Sequence, residues 1–157
     1  MSSYTVGEVL RRERNVINEI KLSLPSLSIN EGIARAAVAV FCSQADPSTT
    51  ELADIKCAVS EAVTNCIVHA YRNEIGNIYI TCTVFENGVI RITIRDKGCG
   101  IENVKQAMEP LYTSLGGDRS GLGFSVMESF SDKLKVRSKV GVGTTVTIEK
   151  KIMGKVK

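Results

Sequence analysis

Tryptophan is absent from this 157-residue chain, histidine occurs once and proline three times. A single histidine cannot supply the usual zinc sets. Five cysteines (Cys42, Cys57, Cys66, Cys82, Cys99), odd in number and without a C-x-x-C pair, read neither as a metal ribbon nor as a disulfide frame. They are expected to be reduced thiols filling small core sites. Long apolar runs are missing too: the longest are broken by Ser, Gln or a charge, and no charged segment leads into an apolar stretch with a cleavage site. That argues against a membrane span and a signal peptide, and the expected location is the cytosol. Charge of one sign is scarce, since twenty basic and seventeen acidic residues leave +3. The densest basic run, "RRER" at 11–14, has no aromatic platform beside it, so no direct contact with nucleic acid is expected.

What is present is enough for one domain with a true core: 43% of the residues are hydrophobic, and no Pro/Gly/Ser linker divides the chain. Residues 20–24, "IKLSL", alternate as a half-buried strand does. Ser28 and Glu31 have the S-x-x-E spacing of a capping box, predicting a helix through "EGIARAAVAVFCSQ" with Ile33, Ala36, Ala37, Val40 and Phe41 on one side. "ADPSTTE" ends that helix and caps a second, predicted over 49–72, whose Leu52, Ile55, Val59, Val63, Cys66, Ile67 and Ala70 share one face. "NIYITCTVFENGVIRITIRD" is a hairpin. A two-residue Asn-Gly turn would set Val84 against Arg91, whereas a loop over Glu86–Gly88 pairs Val84 with Ile90, Cys82 with Ile92 and Ile80 with Ile94, and is preferred for its single apolar face. A short helix, a helix with Leu122, Val126, Met127 and Phe130 spaced for a core, and a last hairpin turned through "GVGT" complete the chain. The predicted fold is an α/β two-layer sandwich, a mainly antiparallel sheet covered on one face by helices.

The chemistry-bearing residues fall in clusters. Glu61, Asn65 and His69 recur every four residues on the second helix, a polar stripe opposite its apolar face. Asp96 follows the alternating strand in "DKGCG", where Gly98 and Gly100 let the backbone bend away and the carboxylate can accept from an exocyclic amine. "RSGLGF", 119–124, precedes a helix, and glycines there let backbone N–H groups meet an anion. No Walker lysine follows, and no G-x-G-x-x-G follows a parallel strand.

Taken in order, Glu61-x-x-x-Asn65, Asp96-x-Gly98-x-Gly100, Gly121-x-Gly123 and Gly141-x-Gly143-Thr144-Thr145 resemble the motif boxes of the Bergerat-fold ATPases, the group containing gyrase, Hsp90, MutL and the histidine kinases. More narrowly, "VSEAVTNCIVHAY", "TIRDKGCGI", "EPLYTS", "RSGLGFSVMESF" and "VGVGTTV" resemble the small anti-sigma factors that are also serine kinases, above all those of sporulation. The resemblance covers residues 18–152 and implies a Bergerat ATP-binding fold over 17–157, after an N-terminal extension, 1–16, of unassigned role.

It also implies roles. Asn65 would hold Mg²⁺ and Glu61 would act as general base; His69 would face the nucleotide cleft or the lid. Asp96 would accept from the adenine amino group, braced by Thr145 ahead of Thr144, with Gly98, Gly100 and Ile101 shaping the adenine wall. Residues 101–120 would form a lid over ATP, with Thr113, Ser114 and Arg119 as its polar groups, Arg119 meeting γ-phosphate charge. Ser120, Gly121, Leu122, Gly123 and Phe124 would cradle phosphate. This lid is one residue shorter than its counterparts and carries Gly116-Gly117 in place of charged residues and a proline. Implied partners are a sigma factor (sigma F), bound with ADP or ATP, an anti-anti-sigma protein phosphorylated on serine, and a second copy in a homodimer, with Arg35 on the partner face. A general-stress anti-sigma-B role and a nucleotide-switched module without phosphotransfer are the alternatives. The ATP-binding half of a histidine kinase is disfavoured because no phosphoacceptor histidine precedes the domain.

Overall fold

The computed structural model describes residues 15–109 and 123–154. Five strands form one fully antiparallel sheet in the order β1-β2-β3-β5-β4: β1 Val16–Pro25, β2 Asn77–Phe85, β3 Val89–Arg95, β4 Lys133–Lys139 and β5 Gly143–Lys151. The helices are α1 Ile29–Cys42, α2 Thr49–Asn65, the single turn α3 Val104–Ala107 and α4 Gly123–Ser129. Helices and sheet share one apolar layer, and the expected two-layer sandwich is the observed fold.

The central hairpin takes the register that period-two alternation favoured: Val84 pairs with Ile90, Cys82 with Ile92 and Ile80 with Ile94, and Gly88 sits at φ +80°. Ile78, Ile80, Cys82, Ile90, Ile92 and Ile94 are all 2% exposed or less and form the floor of the core. At roughly 1.5–3 kcal/mol for each buried branched side chain, this row alone outweighs any single polar contact described below. The opposite face carries Thr81, Thr83, Thr93, Arg91 and Arg95. Arg91 binds Glu149 at 2.7 Å and lies over the Phe85 ring, and Thr83 donates to Glu19.

Three expectations about the helices need correction. The capping box forms at the second helix, where Ser48 and Glu51 bond reciprocally at 3.1 Å, and not at Ser28. Ser28 has helical backbone angles, which leave its hydroxyl without a cap bond, and Glu31 turns to Arg35 at 2.8 Å instead. Helix α1 is rotated from the expected setting. Its buried side is Asn30, Ala34, Val38, Ala39 and Cys42, while Ile33 is 50% and Val40 74% exposed and Ala36 faces out. Packing against both the sheet and α2 favours small side chains at the contact, so the larger apolar residues are displaced outward. Finally, helical geometry changes after Asn65: Cys66–Ala70 form a π turn closed by the Tyr71 N–H donating to the Cys66 carbonyl at 3.1 Å.

Tyr71 ends that turn. Its hydroxyl donates to the Asn77 carbonyl at 2.7 Å and accepts the Lys97 N–H at 2.6 Å, tying the π turn to the strand ends that carry Asp96. No disulfide joins the described cysteines. Cys42, Cys66 and Cys82 are buried as expected, but Cys57 and Cys99 are exposed. No described helix is long and apolar enough to cross a membrane.

Candidate active site

Glu61 and Asn65 stand one turn apart on the side of α2 away from its buried Ile55, Val59 and Val63, and both are half-buried. What covers them is the start of α4. A Cβ on Gly123 would lie 3.3 Å from both Asn65 Oδ1 and Glu61 Oε2, so a side chain there would require these two groups to give by a few tenths of an ångström. Two motif clusters far apart in sequence therefore converge on a carboxylate, a carboxamide and a bare backbone. Phe124 and Met127 carry α4 onto the core, and Met127 is wholly buried.

His69 lies within the π turn, so the regular advance of about 100° per residue assumed for it does not extend past Asn65. Its carbonyl accepts from Arg72 Nε and from the Cys99 thiol, both at 3.3 Å. This backbone link ties the end of α2 to the "DKGCG" loop. The Cys99 N–H donates to the Ala70 carbonyl at 3.1 Å, and a Cβ on Gly98 would stand 2.4 Å from that carbonyl oxygen. Gly98 is required by that approach. Gly100, at φ +77°, packs as closely against the Lys139 carbonyl, where a Cβ would meet oxygen at 2.3 Å.

Asp96 is 6% exposed at the end of β3. Oδ1 accepts the N–H groups of Gly98 (2.9 Å) and Thr144 (3.2 Å), and Oδ2 faces the Cys66 thiol at 3.6 Å. Burial raises its carboxyl above the ordinary range, and the three donors only partly offset this. The brace thus comes from Thr144. Thr145, the expected brace, pairs with Arg95 in the alternating register and belongs to the opposite face of the sheet. A Ser138 hydroxyl, at an inward position of β4, joins the Thr144 hydroxyl (2.8 Å) and receives the Ile101 N–H (2.7 Å), fixing Ile101 beside the loop.

Thr113, Ser114, Arg119, Ser120, Gly121 and Leu122 lie outside the described residues. Arg35, on α1, reaches Glu31 and, at 3.2 Å, the Ser60 hydroxyl of α2. Sequence reading missed Cys66, Tyr71 and Ser138. Of these, only Ser138 left a signal, a polar residue continuing the inward series Leu134 and Val136.

Residues 25–150 match the histidine kinase-like ATPase domain. The chain is 49% identical over 135 residues to the anti-sigma F factor of Clostridium acetobutylicum, covering 85% of this chain and 94% of the relative. It is 51% identical over 136 residues to that of Caldanaerobacter subterraneus subsp. tengcongensis, covering 86% and 94%. Among solved structures it resembles the RsbU and RsbW domains of Rv1364c from Mycobacterium tuberculosis, with a TM-score of 0.65 and 18% identity over 86% of this chain and 32% of that one. It also resembles the mycobacterial sensor histidine kinase MprB, with a TM-score of 0.55 and 14% identity over 87% and 100%. At these identities the two structures speak to the fold alone. The chain belongs to the anti-sigma F factors, within the histidine kinase-like ATPase domain family.

Proposed function

We propose that this protein is a cytoplasmic anti-sigma factor that binds and inhibits a sporulation sigma factor, sigma F, and a serine kinase that uses Mg-ATP to phosphorylate the anti-anti-sigma antagonist. The observation that carries the reading is the convergence of Glu61 and Asn65 on Gly123. Asn65 Oδ1 is a hard, neutral oxygen, suited to Mg²⁺, which takes few protein ligands and completes its shell with phosphate and water. Bound there, the metal would offset phosphate charge.

Glu61, one turn earlier, would take the hydroxyl proton of a substrate serine as that oxygen bonds to the γ-phosphorus and the bond to ADP breaks. Asp96, with two N–H groups holding Oδ1, offers Oδ2 to an adenine amino group, and Ile101, fixed by Ser138, borders the base. Thr113, Ser114, Arg119 and Ser120 to Leu122 would close over and cradle the phosphates, and His69 would border the cleft.

The partner face is α1. Ile29 (72% exposed), Ile33, Ala36 and Val40 recur at the 4-3-4 spacing of one helical stripe, an apolar strip on a helix that already has a buried side. Arg35, on the same helix, adds a charge for the sigma factor or for the second protomer of a homodimer. The test is incubation of purified protein with labelled ATP, Mg²⁺ and the anti-anti-sigma protein. Label on a partner serine is expected; bound ATP without transfer would reduce the nucleotide to a switch.

A further inference from the structure

Cys66 opens the π turn, one residue beyond Asn65, and neither the motif series nor the proposed chemistry uses it. It is 4% exposed, and its Sγ lies 3.6 Å from Asp96 Oδ2. The thiol is the donor of the pair, since the carboxylate oxygen it faces can only accept. A carboxylate offers about four lone-pair sites. Oδ1 is filled by the Gly98 and Thr144 N–H groups, and the thiol takes one site on Oδ2. One site remains.

We propose that Cys66 is a positioning residue for base recognition: its thiol fixes the plane of the Asp96 carboxylate and aims the last open site of Oδ2 at the amino group of a 6-aminopurine. The inference rests on the reading of Asp96 as the adenine acceptor. A purine with an oxygen at position 6 would set acceptor against acceptor there and be rejected, because the wrong base leaves a buried carboxylate unpaired. A carboxylate free to rotate would discriminate less. Among the described residues, the ionisable groups set against Asp96 are the Cys66 thiol and the Tyr71 phenol, whose hydroxyl is already engaged by the Asn77 carbonyl and the Lys97 N–H. Removing the thiol therefore takes away a donor that favours the ionised form and adds no charge.

The experiment uses full-length wild type, Cys66→Ala and Cys66→Ser. The Asp96 carboxyl is titrated by ¹³C NMR in nucleotide-free protein, and ADP and IDP affinities are measured by calorimetry across pH. In the alanine variant the Asp96 midpoint is expected to rise, and ADP affinity to fall about 3- to 10-fold while IDP affinity holds. The pH below which ADP binding is lost should move upward with that midpoint, since protonation removes the acceptor. Serine, a stronger donor, is expected to restore the wild-type ADP/IDP ratio. An unchanged midpoint and ratio in Cys66→Ala, with wild type still preferring ADP, would overturn the role of Cys66 alone. Wild type that binds ADP and IDP equally would overturn both the role and the adenine reading. Should the alanine variant melt early, serine decides: a midpoint at or below that of wild type with ADP still preferred is expected, and a midpoint raised above wild type with the ADP/IDP ratio lost, despite the hydroxyl donor, would refute the link between this side chain and the carboxylate.

Discussion

Helices α1 and α2 pack side by side on the same sheet, yet they spend their outward faces differently. On α2 the outward residues are Glu61 and Asn65, half-buried beneath Gly123; on α1 they are Ile29, Ile33, Ala36 and Val40, left in the open. The buried faces differ as well, with Ile55, Val59 and Val63 on α2 and mostly small residues, Ala34, Val38, Ala39 and Cys42, on α1. Under the proposed function, the exposed apolar strip of α1 would meet a partner and the roofed polar pair of α2 would meet the nucleotide.

The difference can be broken most severely from the α1 side. Ile33→Asp combined with Val40→Asp is expected to lower sigma-factor affinity by at least about 30-fold, the scale of losing an apolar anchor. The melting temperature should hold, because both residues are exposed. Pull-down and surface-binding measurements check this, and unchanged capture would remove α1 from the interface. From the nucleotide side, Asp96→Asn should weaken ADP binding about 10-fold by replacing an acceptor-only carboxylate with an amide, leaving sigma capture at saturating nucleotide intact; calorimetry reads it. A third change probes the buried side of α1. Ala34→Leu, at a position with no exposure, should cost about 1–3 kcal/mol through overpacking, seen as a lower denaturant midpoint with an unchanged slope. Stability equal to wild type would mean that α1 is free to shift.

That third position shows where sequence reading stops. Alternation in β2 and β3 specified both faces and the register, because a one-residue slip would bury Arg91. Glu61, Asn65 and Asp96 stood out through the order of the glycine-containing clusters, because a polar stripe opposite an apolar face is by itself what any surface helix shows. The face of α1 was misjudged because periodicity reports which residues share a side, not which side a neighbouring helix leaves room for. Thr144 and Thr145 are adjacent, and a strand sends them to opposite faces; only the register against Arg95 decides between them. The π turn left no periodic trace, and with it went the contact between Cys66 and Asp96.

The smallest expected effect concerns the cap of α2. Burial alone would raise the Glu51 carboxyl, but the N–H groups of Met153, Ser48 and Gly154 and the Ser48 hydroxyl together leave it lowered. A carboxyl held below its unfolded value near 4.5 stabilises the fold above that pH, and the contribution is lost as pH falls through the folded value. Glu51→Gln should therefore cost about 1 kcal/mol at neutral pH, roughly 2–4 °C, with the gap to wild type closing as pH falls below 4.5 and through the lowered folded value. A gap independent of pH would assign the effect to packing.

The roofed face of α2 is tested most directly by Glu61→Gln, with ATP affinity and single-turnover phosphotransfer to the partner serine measured on the same preparation. ATP affinity is expected to stay within about 3-fold while transfer slows by about 10²–10⁴, the mark of a group that acts mainly in the transition state. Transfer at the wild-type rate would contradict the placing of catalysis on that face.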